Sequence, residues 1–423
     1  MDFRPLRHRD FRLLYAAQAI SFLGSMVTYV ALPWQMYALT HSSLTVGILG
    51  VVELVPLLAT AFIGGALADW LDRRRMVIAT EIGLMAGSLG LLANAAQATP
   101  SVAVLFVLAG WMTAFSGLQR PSLDALTPRF VPHDEIPAAA ALATFRGSLG
   151  MIVGPAIGGV LIGSAGLVAA FGVDFATYLV SLVCFVAMRG VPPREDAEAP
   201  TLRSIAEGFR YARSREELIG TYVIDFVAMV FGMPLALFPA LAAGPLGAKA
   251  LGPLYAAPAV GAFLASVTAR WTPKVKRHGL AVMIAATVWG VAIVAFGFTH
   301  SLLPALACLV VAGGADAVSG IFRQTMWNQT IPDALRGRLA GIEMVSYMSG
   351  PLLGNAEAGT VAAFAGVQAS IVSGGVLCVL GVLVCGALLP RFRRYDARTF
   401  VAAGAAAAAP TDSPPPRLEE PVP

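Results

Sequence analysis

Eight charged side chains lie inside long apolar runs of the 423-residue sequence, where they can bind protons or the charged part of a ligand. A charge at the centre of a bilayer costs about 2.5 kcal/mol or more, so each is a candidate for function. Carboxylates can exchange protons, whereas Arg stays charged and suits a planar anionic or catechol-like oxygen group. The eight are Glu53, Glu81, Arg146, Asp174, Asp225, Asp316, Glu343 and Glu357.

Arg146 and Asp225 have the most specific predicted roles. Arg146 lies about nine residues into its apolar run, or ~13 Å from the nearer membrane edge at 1.5 Å per residue. Asp225 lies at a similar or slightly smaller depth in a later run. We predict that Arg146 holds substrate while Asp225, with Asp316 or Glu343, carries a proton. The alternative is a fixed salt bridge between Arg146 and Asp225 that joins the two halves.

The polar stretch between the second and third apolar runs combines small, acidic and basic residues. Gly65 permits close helix packing, and Asp69 is a carboxylate at the membrane edge. The cations Arg73 to Arg75 follow, and cations at this place pin a loop to the cytoplasmic side. We predict a gate in which Asp69 faces a helix N-terminus or an Arg such as Arg120. The alternative is a loop that only sets topology.

Composition indicates an integral membrane protein without enzymatic activity. The chain is 57% hydrophobic and only 13% charged, whereas a soluble domain has ~25% charged residues. The first apolar run is too long for a signal peptide and lacks a cleavage site. There is no phosphate-binding loop, no metalloprotease motif and no nucleophile elbow, and the four cysteines lack metal-ligand spacing. We therefore expect no enzyme, no cofactor, no bound metal and no nucleic-acid partner.

The apolar runs predict an all-α membrane protein with twelve transmembrane helices, because long continuous runs suit helices and not barrel strands. Arg and Lys concentrate in alternate gaps between the runs, which places both termini in the cytoplasm; Lys249 is the only cation in the opposite gaps. The predicted spans are residues 13–39, 44–70, 76–97, 101–126, 138–163, 166–188, 218–243, 250–270, 279–299, 302–326, 337–363 and 366–389.

The longest internal gap divides the chain into two six-helix pseudo-repeats. Apolar residues at helical spacing alternate with Arg and Glu in this gap, which predicts an amphipathic helix on the cytoplasmic membrane surface. The tail is rich in Ala and then in Pro, and we expect it to be disordered. The predicted domains are an N-terminal bundle at 1–189, a linker at 190–217, a C-terminal bundle at 218–392 and a tail at 393–423.

These patterns resemble the major facilitator superfamily. The loop from Gly65 through Asp69 to the three Arg residues is similar to the superfamily's Gly-x-x-x-Asp loop with basic residues, although the usual Gly within the basic part is missing. By this analogy predicted spans 3, 6, 9 and 12 lie outside the central cavity, and the resemblance implies that Glu81 and Asp174 have structural roles. The resemblance leaves Glu53, Arg146, Asp225, Asp316 and Glu343 as cavity candidates.

A second motif resembles the antiporters of this superfamily, which export drugs and metabolites. It lies in predicted span five and consists of Gly150, Gly154, Pro155, Gly158 and Gly159; the alternative is a tight helix crossing with no meaning for direction. Phe11-Arg12-Leu13, the turn at residues 32–35 and residues 173–178 and 332–338 resemble the branch that contains the enterobactin exporter and related drug exporters.

The sequence thus predicts a bacterial inner-membrane exporter of a small hydrophobic or amphipathic molecule, siderophore or drug-like. The resemblance implies alternating access, a proton gradient as the driver, and a monomer whose partners are substrate, protons and the lipid bilayer. The alternatives are an importer or facilitator of a small metabolite and, from another class, a transport-dead membrane sensor.

Overall fold

The computed structural model describes residues 2–70, 72–189, 210–211, 213–331 and 333–398, with side chains described outside 61–70, 333–338 and 340–346. Within these residues the regular structure is helical throughout. The α-helices are α1 (Arg9–Thr40), α2 (Ser43–Trp70), α3 (Arg73–Ala95), α4 (Val102–Phe130), α5 (Ile136–Ala187), α6 (Glu216–Phe231), α7 (Phe238–Ala243), α8 (Leu251–Val267), α9 (His278–Gly297), α10 (Leu302–Thr330), α11 (Asp333–Ala365), α12 (Val367–Leu388) and α13 (Pro390–Arg393). Short 3₁₀ helices lie at Arg4–Arg7, His133–Glu135, Leu235–Leu237, Ala248–Ala250 and Ala269–Lys274.

Among the described residues, 10 helical segments are long and apolar enough to cross a membrane. One of them, His133–Ala187, contains both predicted spans five and six. The break between these spans is at Gly166. Its φ of 82° and ψ of −179° are not helical backbone angles. Helix α11 corresponds to predicted span eleven. The all-α membrane fold is therefore confirmed, while the exact number of twelve stays a prediction.

Predicted span seven is interrupted, whereas the sequence pattern predicts one continuous helix. Helix α6 ends at Phe231 and α7 begins at Phe238, because Pro234 lacks an N–H and its ring blocks the preceding turn. Two side chains from other helices bind the backbone groups of the break. The backbone N–H of Ala236 donates to Oδ1 of Asn355 at 3.1 Å, and the hydroxyl of Tyr255 donates to the carbonyl of Leu235 at 3.2 Å.

The described contacts between the first five helices and the later ones concentrate near the cation-poor loops, whose only Lys or Arg is Lys249. We call this end of the molecule the uncharged end. Val30 and Trp34 of α1 pack into an apolar cluster that is otherwise built mostly from α6 to α12. A Cβ added at Gly359 of α11 would lie 3.0 Å from Cα of Gly47 in α2. The backbones of the two bundles therefore touch at this end.

The structure describes only small parts of the predicted linker and of the predicted tail. Most of the linker lies outside the described residues, and so does the tail from residue 399. Residues 393–398, within the predicted disordered tail, pack on the C-terminal bundle: Tyr395 is 3% exposed and stacks on His278. Arg398 donates to both carboxylate oxygens of Asp396, and these hydrogen bonds lower the pKa of Asp396 to about 2.

Candidate functional site

Arg323 of α10 is the centre of a buried ion cluster in the C-terminal bundle. Its Nη1 contacts Oδ1 of Asp225 from α6, and its Nη2 lies 3.6 Å from Oδ1 of Asp316, two turns earlier on α10. The side chains of Arg323 and Asp225 are each 8% exposed, whereas that of Asp316 is 37% exposed. One guanidinium therefore binds two carboxylates, one buried and one accessible.

Neighbouring polar and aromatic contacts hold α6 and α10 in register around this cluster. One turn from Arg323, Nε1 of Trp327 donates to Oγ1 of Thr221 at 2.8 Å, and Thr221 lies one turn from Asp225. The ring of Tyr222 stacks on Trp327 with centroids 5.5 Å apart. Because the two helices are antiparallel, the hydrogen bond of Trp327 and the ion pair of Arg323 connect them one helical turn apart.

Arg146 of α5 lies in the N-terminal bundle, away from Asp225. It donates to Oε1 of Gln18, and its guanidinium carbon lies 5.9 Å from the centroid of the Tyr15 ring. Arg120 and Asp124 of α4 are close enough to interact with it electrostatically. The salt bridge between Arg146 and Asp225 considered above is not formed, because each side chain has its partner within its own bundle.

Glu53 of α2 lies with two tyrosines between the bundles. Tyr29 of α1 is close enough to interact electrostatically with both Glu53 and Tyr347 of α11. Tyr29 is 38% exposed and Tyr347 is 61% exposed, so these side chains line accessible space at the interface of the two bundles. The ring of Tyr29 also meets Tyr255 edge to face, with centroids 5.4 Å apart. Glu53 makes no hydrogen bond or ion pair with another residue among those described.

The antiporter-like motif in α5 packs on two different helices. Gly150, Gly154 and Gly158 face α1, where an added Cβ at Gly158 would lie 3.2 Å from Cα of Val27. Gly159 faces α8, and its added Cβ would lie 2.6 Å from both the Cα and the N of Gly252. In turn, a Cβ on Gly252 would lie 2.7 Å from the carbonyl oxygen of Pro155. The motif therefore joins the bundles at the uncharged end.

The Arg residues of the predicted gate bind backbone carbonyl groups of two neighbouring helices, α5 and α4. Arg74 donates from Nε to the carbonyl of Phe185 at 3.3 Å and from Nη2 to that of Val186 at 2.5 Å. Arg73 reaches the carbonyl of Ala125 in α4 at 3.5 Å. Asp72, which the sequence interpretation did not single out, caps α3 by accepting from the N–H groups of Arg74 and Arg75.

The surroundings of Gly65 and the side chains of Asp69 and Glu343 lie outside the described part, so their predicted contacts stay predictions. Glu81 and Asp174 are buried away from the bundle interface. Glu81 accepts hydrogen bonds from Gln119 and Ser181, and Asp174 accepts from Thr28 and Ser88. Four neutral donors thus bind these two carboxyl groups, and the structural role expected for them stays a prediction.

Arg323 is the member of the buried ion cluster that sequence reasoning did not select as a candidate. It lies near the end of its apolar run, at residue 323 of the predicted span 302–326. A signal was present, because Arg323 follows Asp316 by seven residues and the two therefore share one helix face. The pairing with Asp225 joins residues 98 positions apart and has no local signal.

Comparison with known proteins gives the family. A family model described as transmembrane secretion effector, within the major facilitator superfamily, matches residues 1–409. Curated relatives include the enterobactin exporter EntS of Shigella boydii serotype 18 and that of Escherichia coli O1:K1. Each is 28% identical over 391 residues, which cover 92% of this chain and 94% of the relative.

Solved structures of other transporters share the fold. A POT family transporter in complex with 5-aminolevulinic acid has a TM-score of 0.73 at 12% identity, covering 90% of this chain and 96% of that one. A bacterial homolog of the human lysosomal transporter Spinster, inward-facing and unoccupied, has a TM-score of 0.70 at 16% identity, covering 95% and 99%. The superfamily predicted from the motifs is confirmed: the chain belongs to the transmembrane secretion effector family of the major facilitator superfamily, and the relatives that it matches are transporters and not enzymes.

Proposed function

We propose that this protein exports a small hydrophobic or amphipathic molecule, siderophore or drug-like, in exchange for protons. The observation that carries the proposal is the placement of two charged sites on opposite bundles. Arg146 provides a cation in the N-terminal bundle, and Asp225, Arg323 and Asp316 form an ion cluster in the C-terminal bundle. Similarity to an enterobactin exporter over nearly the whole chain supports export.

Import is the second candidate, because the structural neighbours include a POT family transporter in complex with 5-aminolevulinic acid.

The proposed mechanism is alternating access with both termini in the cytoplasm of a bacterium. The uncharged end then faces outward, and the contacts of Gly159 with Gly252 and of Gly359 with Gly47 close the outer side. Opening requires the two bundles to separate there and to approach each other at the basic end. The predicted gate of Gly65, Asp69, Arg73, Arg74 and Arg120 lies at that basic end. We propose that a monomer performs the cycle.

The orientation can be tested with single cysteines in a background without native cysteines. Gly247 lies in the outer loop before α8, and Ser413 lies in the tail. We expect a membrane-impermeant maleimide to label Gly247→Cys in intact cells and to label Ser413→Cys only after lysis. The reverse labelling pattern would contradict the proposed orientation.

Replacement of Arg146 with Gln is expected to weaken binding of an anionic or catechol ligand such as enterobactin by about 10- to 150-fold. A hydrogen bond to a charged group contributes about 1.5–3 kcal/mol, which corresponds to this range. Calorimetric titration of the purified protein measures the change. Arg146→Lys, which keeps the charge, should lose less affinity, and Arg129→Gln, an exposed charge at the basic end, should lose none. Wild-type affinity in Arg146→Gln would contradict the assigned role.

Comparison of culture media tests the direction and the class of substrate. Medium from a deletion strain, with and without plasmid-borne wild-type protein, is analysed by untargeted mass spectrometry in iron-replete and iron-poor cultures. We expect a small amphipathic compound to accumulate outside only the complemented cells and inside the deletion cells. A compound that instead disappears from the medium when the protein is present would favour import.

A further inference from the structure

The ion cluster around Arg323 has more negative than positive charges. Arg323 contributes one cation, and Asp225 and Asp316 contribute two carboxylates. Arg stays protonated in proteins, so any exchangeable proton of the cluster belongs to a carboxylate. Uptake of one proton makes the net charge of the cluster zero, and its release makes the net charge −1.

The two carboxylates differ in how tightly Arg323 binds them. Asp225 contacts Nη1 directly and its side chain is 8% exposed, so a proton on Asp225 would have to disrupt a buried ion pair. Asp316 lies 3.6 Å from Nη2 and its side chain is 37% exposed. A proton from water in the accessible space can therefore reach Asp316 without breaking the contact between Asp225 and Arg323.

Among the residues whose side chains are described, the helices packed around the cluster add few other ionisable groups. Tyr347 of α11 is close enough to interact electrostatically with both carboxylates and also with Arg120 of α4. The small cavity that Asp225 and Asp316 line is also lined by Trp289 of α9, which has no titrating proton, and by Ser319 of α10. Among the described residues, Arg323 is the cation that forms ion pairs with Asp225 and Asp316.

We infer that Arg323 is a positioning residue that holds Asp225 in a fixed ion pair and leaves Asp316 as the carboxylate that exchanges the proton. The inference rests on the proposed proton coupling and changes the expectation from sequence, in which Asp225 carries the proton with Asp316 or Glu343 in support. In this step one proton binds a carboxylate oxygen of Asp316 from one side of the membrane. The same O–H bond breaks, and the proton leaves, when the accessible space opens to the other side.

Infrared titration of the purified full-length protein tests the assignment without any substrate. The carbonyl band of a protonated carboxyl group disappears as the group ionises, so a difference between wild type and variant identifies the titrating residue. We expect Asp316→Asn to remove one pH-dependent component that Asp225→Asn retains, and that the control Asp134→Asn, which replaces an exposed carboxylate at the basic end, also retains. Loss of that component in Asp225→Asn and its retention in Asp316→Asn would overturn the inference.

The role of Arg323 is tested by the pH midpoint of the same band. A nearby cation favours the ionised carboxylate, so Arg323→Gln should move the midpoint towards higher pH while Arg323→Lys leaves it close to wild type. An unchanged midpoint in both variants would overturn the positioning role.

Transport measured in inside-out vesicles separates this inference from the proposed function. Enterobactin is the probe, and its acid-driven uptake is measured together with the dissipation of the proton gradient. If wild type transports and Asp316→Asn keeps proton-coupled transport at the wild-type rate, the inference alone is wrong. If wild type neither transports enterobactin nor moves protons with it while the Asp316 band titrates, the coupling in the proposed function fails and the titration assignment is supported.

Discussion

Replacement of Arg323 with Gln is expected to destabilise the protein by about 3–5 kcal/mol, because removal of one partner leaves a buried charge without compensation. The carboxylate of Asp225 is 8% exposed and has Arg323 as its ion-pair partner. The neutral amide of Gln cannot balance that charge. The change should appear as a lower apparent melting temperature in detergent, measured by the intrinsic fluorescence of the tryptophans.

Two double variants show which carboxylate depends on Arg323 for stability. Arg323→Gln with Asp225→Asn removes both charges of the tight pair and should recover most of the lost melting temperature. Arg323→Gln with Asp316→Asn leaves Asp225 unpaired and should recover little. Arg129→Gln is the matched control for loss of one Arg, since this side chain is exposed. Equal recovery in the two double variants would contradict the fixed pair.

Substitution of Gly159 with Val is expected to prevent closure of the uncharged end and to abolish export. Its added Cβ would lie 2.6 Å from the backbone of Gly252, and backbone cannot move aside as a flexible side chain can. Overpacking of this kind costs about 1–3 kcal/mol. A free-energy difference of that size shifts the ratio of closed to open protein by about 5- to 150-fold.

Gly163 provides the control one turn further along α5. No atom lies within 4 Å of a Cβ added at Gly163, so Gly163→Val changes helix composition without touching α8. Spin labels on Ser164→Cys and Lys249→Cys, which replace exposed residues in different bundles near this contact, report the separation. We expect a longer distance in Gly159→Val and an unchanged distance in Gly163→Val. Equal distances in all proteins would show that the glycine contact does not control closure.

The helices and their membrane character could be predicted from the sequence because they depend on local composition. Apolar runs of bilayer length predict helices such as α3 and α12 with errors of a few residues. Gly232 and Pro234 were a local signal for the interruption after Phe231. The prediction of one continuous helix gave more weight to the apolar run around them. Its stabilisation by Asn355 could not be predicted, since that hydrogen bond joins residues 119 positions apart.

The candidate charges could also be found from sequence, but their partners could not. Asp225 and Asp316 stand out as charges within apolar runs, whatever the tertiary structure. Which cation meets them depends on the rotation and crossing of α6 and α10, and these follow from packing over the whole bundle. For the same reason Gly159 was found as part of a motif, while its contact with Gly252 was not.

The proposed mechanism links the proton site in the C-terminal bundle to the contact that closes the uncharged end. The distance between spin labels at Ser164→Cys and Lys249→Cys, measured as a function of pH in lipid nanodiscs, tests this link most directly. The mechanism predicts two distance populations whose ratio changes with pH in the wild-type background and does not change in Asp316→Asn. The control Asp134→Asn, which replaces an exposed carboxylate at the basic end, should keep the pH response. A ratio that is independent of pH in the wild-type background, or that responds equally in Asp316→Asn, would contradict it.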